Sequence, residues 1–150
     1  MLSTKLVQLI EKNSETITSG LILEIRQDPQ MSALASRPDT ELRGWSQDIL
    51  KNLGYLLAAT KDEELARRFQ VLGRLRFEQS IPLHEAVLRC HALKNRILRF
   101  VRDQGFAFTP MELYTAQELD RRVGWLFDAM VYHIVCGYES AERVASQLAS

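Results

Sequence analysis

Five side chains in this sequence carry the chemistry of metal ions: His84, Cys90, His91, His133 and Cys136. His84 and His91 stand seven apart, and His133 and Cys136 three apart, so in helices each pair shares a face. Zinc takes four ligands in a tetrahedron, and two helices offering two each would fill it; a helical His could also hold haem iron. Neither pair has the tight Cys-x-x-Cys or His-x-x-x-His form, however. Cys90 and Cys136 also fall within apolar stripes, where a cysteine behaves as a small hydrophobe. Structural residues are thus expected here, with no metal and no cofactor. There is no glycine-rich phosphate loop, nucleophile elbow or His-Glu-x-x-His pair. The acids lie beside Lys or Arg at helical spacing, as in Lys61-Asp62-Glu63-Glu64 followed by Arg67 and Arg68. Such pairs support a helix and call for no catalytic role, and no enzyme is expected.

His91 raises a second chemistry. His91-Ala92-Leu93-Lys94-Asn95 resembles the His-x-Leu-Lys-Gly motif of histidine phosphotransfer domains. That resemblance implies an exposed helical His that accepts phosphate, with Lys94 steadying the charge. Asn95 stands where that family has Gly, and Leu83, Val87 and Cys90 put the core face close by. The competing reading makes His91 an ordinary helix residue.

Composition narrows the partners. The chain has 150 residues, enough for one domain with a proper core, and 46% hydrophobic with 25% charged is ordinary for a globular protein. Nineteen basic and nineteen acidic residues cancel, so no basic field gathers phosphates or anionic lipid, and nucleic acid is not an expected partner. Two cysteines make no disulfide framework, which fits a reducing cytoplasm. Met1-Leu2-Ser3-Thr4-Lys5 leads into an amphipathic pattern without the apolar run or cleavage site of a signal peptide. The most apolar window, Val123 to Tyr138, carries Asp128 and His133 and is too short to span a membrane.

The elements that hold these residues read as all-α, with about five helices and no internal domain boundary. Leu6, Ile10, Ile17, Leu21 and Ile25 share a face, predicting a first helix over 3–27 ended by Asp28-Pro29. Met31 and Leu34 lie in the connector and can tuck onto the core. A second helix starts near Pro38-Asp39, buries Leu42, Trp45, Ile49, Leu53 and Leu56, and stops near Ala59. Thr60-Lys61-Asp62-Glu63 forms a capping box for a third, with Leu65, Phe69, Leu72 and Leu75 inward. Gly73 inside it costs about 1 kcal/mol relative to Ala, tolerable where another helix crosses closely. Ser80-Ile81-Pro82 starts a fourth helix with Leu83, Val87, Cys90, Ile97 and Phe100 inward, stopped at Gly105; Phe106 and Phe108 are expected to cover the base of the core.

Thr109-Pro110-Met111-Glu112 then combines an N-cap Thr, a Pro at the first helical position and a capping-box Glu. No Pro follows, so one helix of about forty residues, roughly 60 Å long, is expected. Leu119, Val123, Leu126, Met130, Ile134, Gly137, Ala141, Val144 and Leu148 run along it at alternating spacings of four and three, with one extra four before Ile134. Leu119, Val123, Leu126, Met130, Ile134, Ala141, Val144 and Leu148 are therefore the expected homodimer interface. In the plainer alternative the stripe folds back on the first helix. Gly54, Gly73 and Gly124 are places where helices could part around an unidentified small ligand, with Trp45, Phe69 and Trp125 as lining candidates, or else simply core.

A resemblance covers nearly the whole chain. The opening helix Leu6 to Ile25, the entry Asp39-Thr40-Glu41-Leu42, the run Arg74-Leu75-Arg76-Phe77-Glu78-Gln79-Ser80-Ile81-Pro82-Leu83-His84-Glu85-Ala86, and Leu126-Phe127-Asp128-Ala129 with Gly137-Tyr138 are similar to the N-terminal domains of RsbR and RsbRD type stressosome regulators. The resemblance implies a sensory input domain with a globin-like helical fold lacking haem. Such a domain dimerises and passes a signal to a C-terminal output domain or a regulatory partner, and no catalytic residues come with it. No output sequence follows Ser150 here, so the expectation is action in trans or a break at the domain edge.

Overall fold

The computed structural model describes residues 2–58, 62–104 and 109–149. Among these there is no strand, and the chain runs α1 (Leu2–Lys12), α2 (Ser14–Gln27), a 3-10 turn (Pro29–Met31), α3 (Ser32–Ala35), α4 (Asp39–Lys51), α5 (Leu53–Ala58), α6 (Asp62–Glu78), α7 (Leu83–Asp103) and α8 (Pro110–Ala149). The all-α expectation holds, but eight α-helices stand where about five were expected. The Thr60 capping box, the Gly105 stop and the Phe106 and Phe108 cover lie outside the described residues.

Two of the extra helices come from two asparagines. Asn13 and Asn52 leave helical geometry (φ −104°, ψ 21° and φ −110°, ψ 18°). Each turns its side-chain amide onto the carbonyl four residues back, Leu9 at 2.8 Å and Asp48 at 2.7 Å. An Asn side chain competes in this way with the backbone ladder. The ladder resumes at once, with Ile17 N–H on Asn13 O and Leu56 N–H on Asn52 O. The expected first and second helices are thus each split by a kink. The third extra helix, α3, lies in the connector, where Met31 and Leu34 do tuck into the core.

The core forms where the inward faces meet. α8 packs chiefly on α6 and also on α7, while α2 packs on α4, α3 and α7. Leu6, Ile10, Leu21 and Ile25 enter from the first two helices, Leu42, Ile49 and Leu53 from α4 and α5, and Leu93 and Ile97 from α7, all buried. α6 and α8 cross at Gly73 and Gly137. A Cβ on Gly73 would overlap the Ile134 carbonyl oxygen, and one on Gly137 would sit 3.0 Å from the Gly73 Cα. The glycine that weakens α6 as a helix is what lets two backbones touch.

That crossing also sets which face of α6 turns inward. Leu75, expected to be buried, is exposed, and Arg76 is buried in its stead. The inward line runs through Leu65, Phe69, Gly73 and Arg76. α6 ends with Ser80 in the left-handed region (φ 61°) while Ile81 N–H reaches back to Arg76 O at 3.1 Å, a Schellman closure with buried Ile81 as its apolar plug.

Candidate functional site

The long helix is a single unbroken element of 40 residues. Its start is the expected capping box: Glu112 N–H donates to Thr109 Oγ1 at 3.1 Å, and Thr109 N–H donates to Glu112 Oε2 at 3.3 Å. Leu119, Val123, Leu126, Met130 and Ile134, expected at a dimer interface, are buried in the protomer's own core, because α6 and α7 cover that side of the helix. In this fold those five positions cannot meet a partner. The same stripe then runs out of the bundle: Ala141 is half-buried, Val144 is exposed and Leu148 is 82% exposed.

α8 has a second apolar face that the stripe did not reveal. Met111, Tyr114, Trp125 and Tyr132 are all exposed, Trp125 at 79%. Their spacings of three, eleven and seven return to one side of a helix, largely opposite the buried stripe. Trp125 and Tyr132 border a groove of about 810 Å³ floored by Leu56, Leu57, Leu65 and Leu126. Glu118, Arg121 and Asp128 bring charge to it, and Arg121 pairs with Glu118 at 2.6 Å. Arg122 reaches across to the Leu57 carbonyl at 3.4 Å, tying α8 to α5.

The interior holds a charged cluster that joins α4, α6, α7 and α8. Arg76 pairs with Glu41 at 2.9 Å and also donates to Gln79 Oε1 at 2.7 Å, and Glu41 pairs in turn with Arg37 at 2.9 Å. Partial burial is the largest single influence and raises the Glu41 carboxyl, but the hydrogen bond and charge of Arg37, with Arg76 and Gln79, together outweigh it and hold the group below its ordinary range. Glu85 is buried and accepts the Leu34 N–H at 2.9 Å. Arg89 is only 1% exposed, and its guanidinium carbon lies 4.0 Å from the centre of the Trp45 ring. Among the described residues Arg89 has no hydrogen bond and no ion pair.

Burial, and then the neighbouring Arg76 charge, push the Arg89 guanidinium down to about 9, so it is still a cation near neutral pH. Burying an ion without a partner costs on the order of several kcal/mol, more than the roughly 2 kcal/mol of a desolvated cation–π contact. Tyr138 of α8 closes the cluster, its hydroxyl donating to Ile81 O at 2.9 Å and its ring edge-on to Phe77. Burial pushes that phenol up to about 12.

The metal-type residues are not brought together: no His, Cys, Asp and Glu group suited to a metal ion occurs among the described residues. His84 and His91 are exposed on α7, His133 is buried, and Cys136 is half-buried on α8. Cys90 is buried against Met130 Sδ at 3.8 Å, with its thiol pushed up to about 12 by burial. Of the pocket candidates, Trp45 and Phe69 are core, and Trp125 lines the groove. Gly54 touches Val7 and donates its N–H to Glu11, and Gly124 faces open space. Arg89 and Glu85 escaped the sequence reading, although they sit at i and i+4 directly beside the apolar line Ala86, Cys90, Leu93 and Ile97.

No helix among the described residues is long and apolar enough to cross a membrane. Comparison with protein-family models, curated proteins and solved structures returns no match to this chain.

Proposed function

We propose that this chain is a non-catalytic signalling input domain that pairs with a second copy and relays a signal through α8 to an output domain or regulatory protein. The observation that carries this reading is the course of α8. One continuous helix is clamped in the core by Gly137 and Tyr138, then leaves it with Val144 and Leu148 uncovered. A rod with one end in the packing and one end free can report a small rotation or shift of its neighbours. The likeness to stressosome input domains noted above supports the same reading.

Pairing would use the uncovered turns after Ser140, since the earlier part of the stripe is occupied within the protomer. Light scattering on the full chain and on one ending at Ser140 tests this. A full chain of twice the protomer mass and a monomeric shortened chain are expected. Equal masses for both would remove the case for pairing through this end.

Phosphotransfer is the second reading, favoured by one observation: His91 is exposed on α7, and Lys94 lies on the same face. Incubation with a labelled phosphodonor kinase decides it. Label on the wild-type chain that is absent from His91→Gln would make phosphotransfer the better account, and no label would dismiss it.

A further inference from the structure

We infer that the interior between α4, α6 and α7 binds a single small monovalent anion of the halide class, held by Arg89 beside Arg76 and Trp45. A guanidinium offers five N–H donors, and a buried one is ordinarily paired. Arg89 is fully buried, yet among the described residues its contact is the face of Trp45, which offers no lone pair. Its own Nε, the Nε of Arg76 and the indole Nε1 of Trp45 are all buried donors without an acceptor. Three unanswered donors on three different helices call for an acceptor that the described residues do not supply.

The two carboxylates of the cluster make no hydrogen bond or ion pair with Arg89. Glu41 is shared between Arg37 and Arg76. Glu85, one turn before Arg89, makes no ion pair with it, and its Oε1 takes the Leu34 N–H. Water could accept these N–H groups but brings no charge, whereas two guanidinium groups lie close enough here for Arg76 to disfavour the Arg89 cation. An anion answers both needs. The charge count sets its valence: Arg37, Arg76 and Arg89 stand against Glu41 and Glu85, three cations to two carboxylates, which leaves room for one negative charge. A dianion such as sulfate would overbalance it and bear a larger desolvation cost.

The site is independent of whether α8 acts as a relay, and it has a built-in reporter. The chain has two tryptophans, and in a Trp125→Phe chain Trp45 is the only one left. Bromide is the probe, since a heavy atom held beside an indole quenches it. Sodium bromide is titrated into that chain with ionic strength held by sodium sulfate.

The expected result is a saturable loss of Trp45 emission, relieved competitively by chloride and absent when Arg89→Met is added. Quenching that rises linearly with bromide, or that persists in Arg89→Met, would overturn the site and leave Glu85 or water as the partner. Should Arg89→Met fail to fold, the chloride competition decides alone: bromide quenching that chloride does not relieve sinks the proposal.

Discussion

Gly73 and Gly137 meet backbone to backbone, the Gly137 Cβ position lying 3.0 Å from the Gly73 Cα, so α6 and α8 approach more closely than any side chain would allow. Ala is the better helix former at either site by about 1 kcal/mol, but overpacking against backbone costs up to about 3 kcal/mol and cannot be relieved by a rotamer change. Gly137→Ala is therefore expected to destabilise the protein by about 2 kcal/mol in urea denaturation. Gly124→Ala, on the same helix but facing open space, should stabilise it by roughly 0.5–1 kcal/mol. A neutral or stabilising Gly137→Ala would mean that the two helices do not touch there.

Ser80 holds the left-handed turn that closes α6, at φ 61°. An L-residue with a Cβ is strained in that region by about 1–2 kcal/mol, and glycine is not. Ser80→Gly should raise stability by about 1 kcal/mol, with a matching rise in melting temperature. A fall would show that the Ser80 side chain contributes something beyond the turn.

Cys90 makes stability depend on pH in a defined direction. Its thiol stays protonated in the fold up to about 12, against 9.0 in the unfolded chain. Above pH 9 the unfolded state releases a proton that the folded state keeps, so this contribution is complete below pH 9 and is lost as pH rises towards 12. Cys90→Ala lacks the group. Its stability deficit relative to wild type should shrink from pH 8.5 to 10.5 in denaturation measured at each pH, and a deficit that grows would reverse the assignment.

The capping box at Thr109 and Glu112 satisfies two N–H groups at the start of α8. Thr109→Ala is expected to cost about 1 kcal/mol. The loss should appear as faster amide exchange in the first turn of α8, with the turns around Val123 unchanged. Equal acceleration along the whole helix would point to a cooperative role for the cap.

Much of this architecture was legible because its signals are local. Thr109 and Glu112 announce the start of α8, Pro82 the start of α7, and Gly73 a close crossing, each from a few neighbouring residues. Arg76, Glu85 and Arg89 were not legible as interior groups, since a charge in a helical pattern ordinarily marks the solvent side. What allows their burial arrives from far along the chain: Glu41 for Arg76, the Leu34 N–H for Glu85 and the Trp45 ring for Arg89. The kinks at Asn13 and Asn52 were hidden for a different reason, because apolar periodicity passes through them undisturbed. For the α8 stripe, spacing identified the greasy face but could not say what covers it. Leu119 to Ile134 are covered by α6 and α7, and only the last turns remain open.

The glycine contact also divides α8 into two unequal arms. With the axis pinned at Gly137, the outer arm to Ala149 is about 18 Å and the inner arm to Pro110 about 40 Å at 1.5 Å per residue. No compressible side chain stands at the pivot to absorb a change of tilt. A rocking of roughly five degrees would carry the outer tip by about 1.6 Å, comparable to the helix displacements that switch proteins use. It would also move the opposite end, at Pro110, by about twice as much in the other direction.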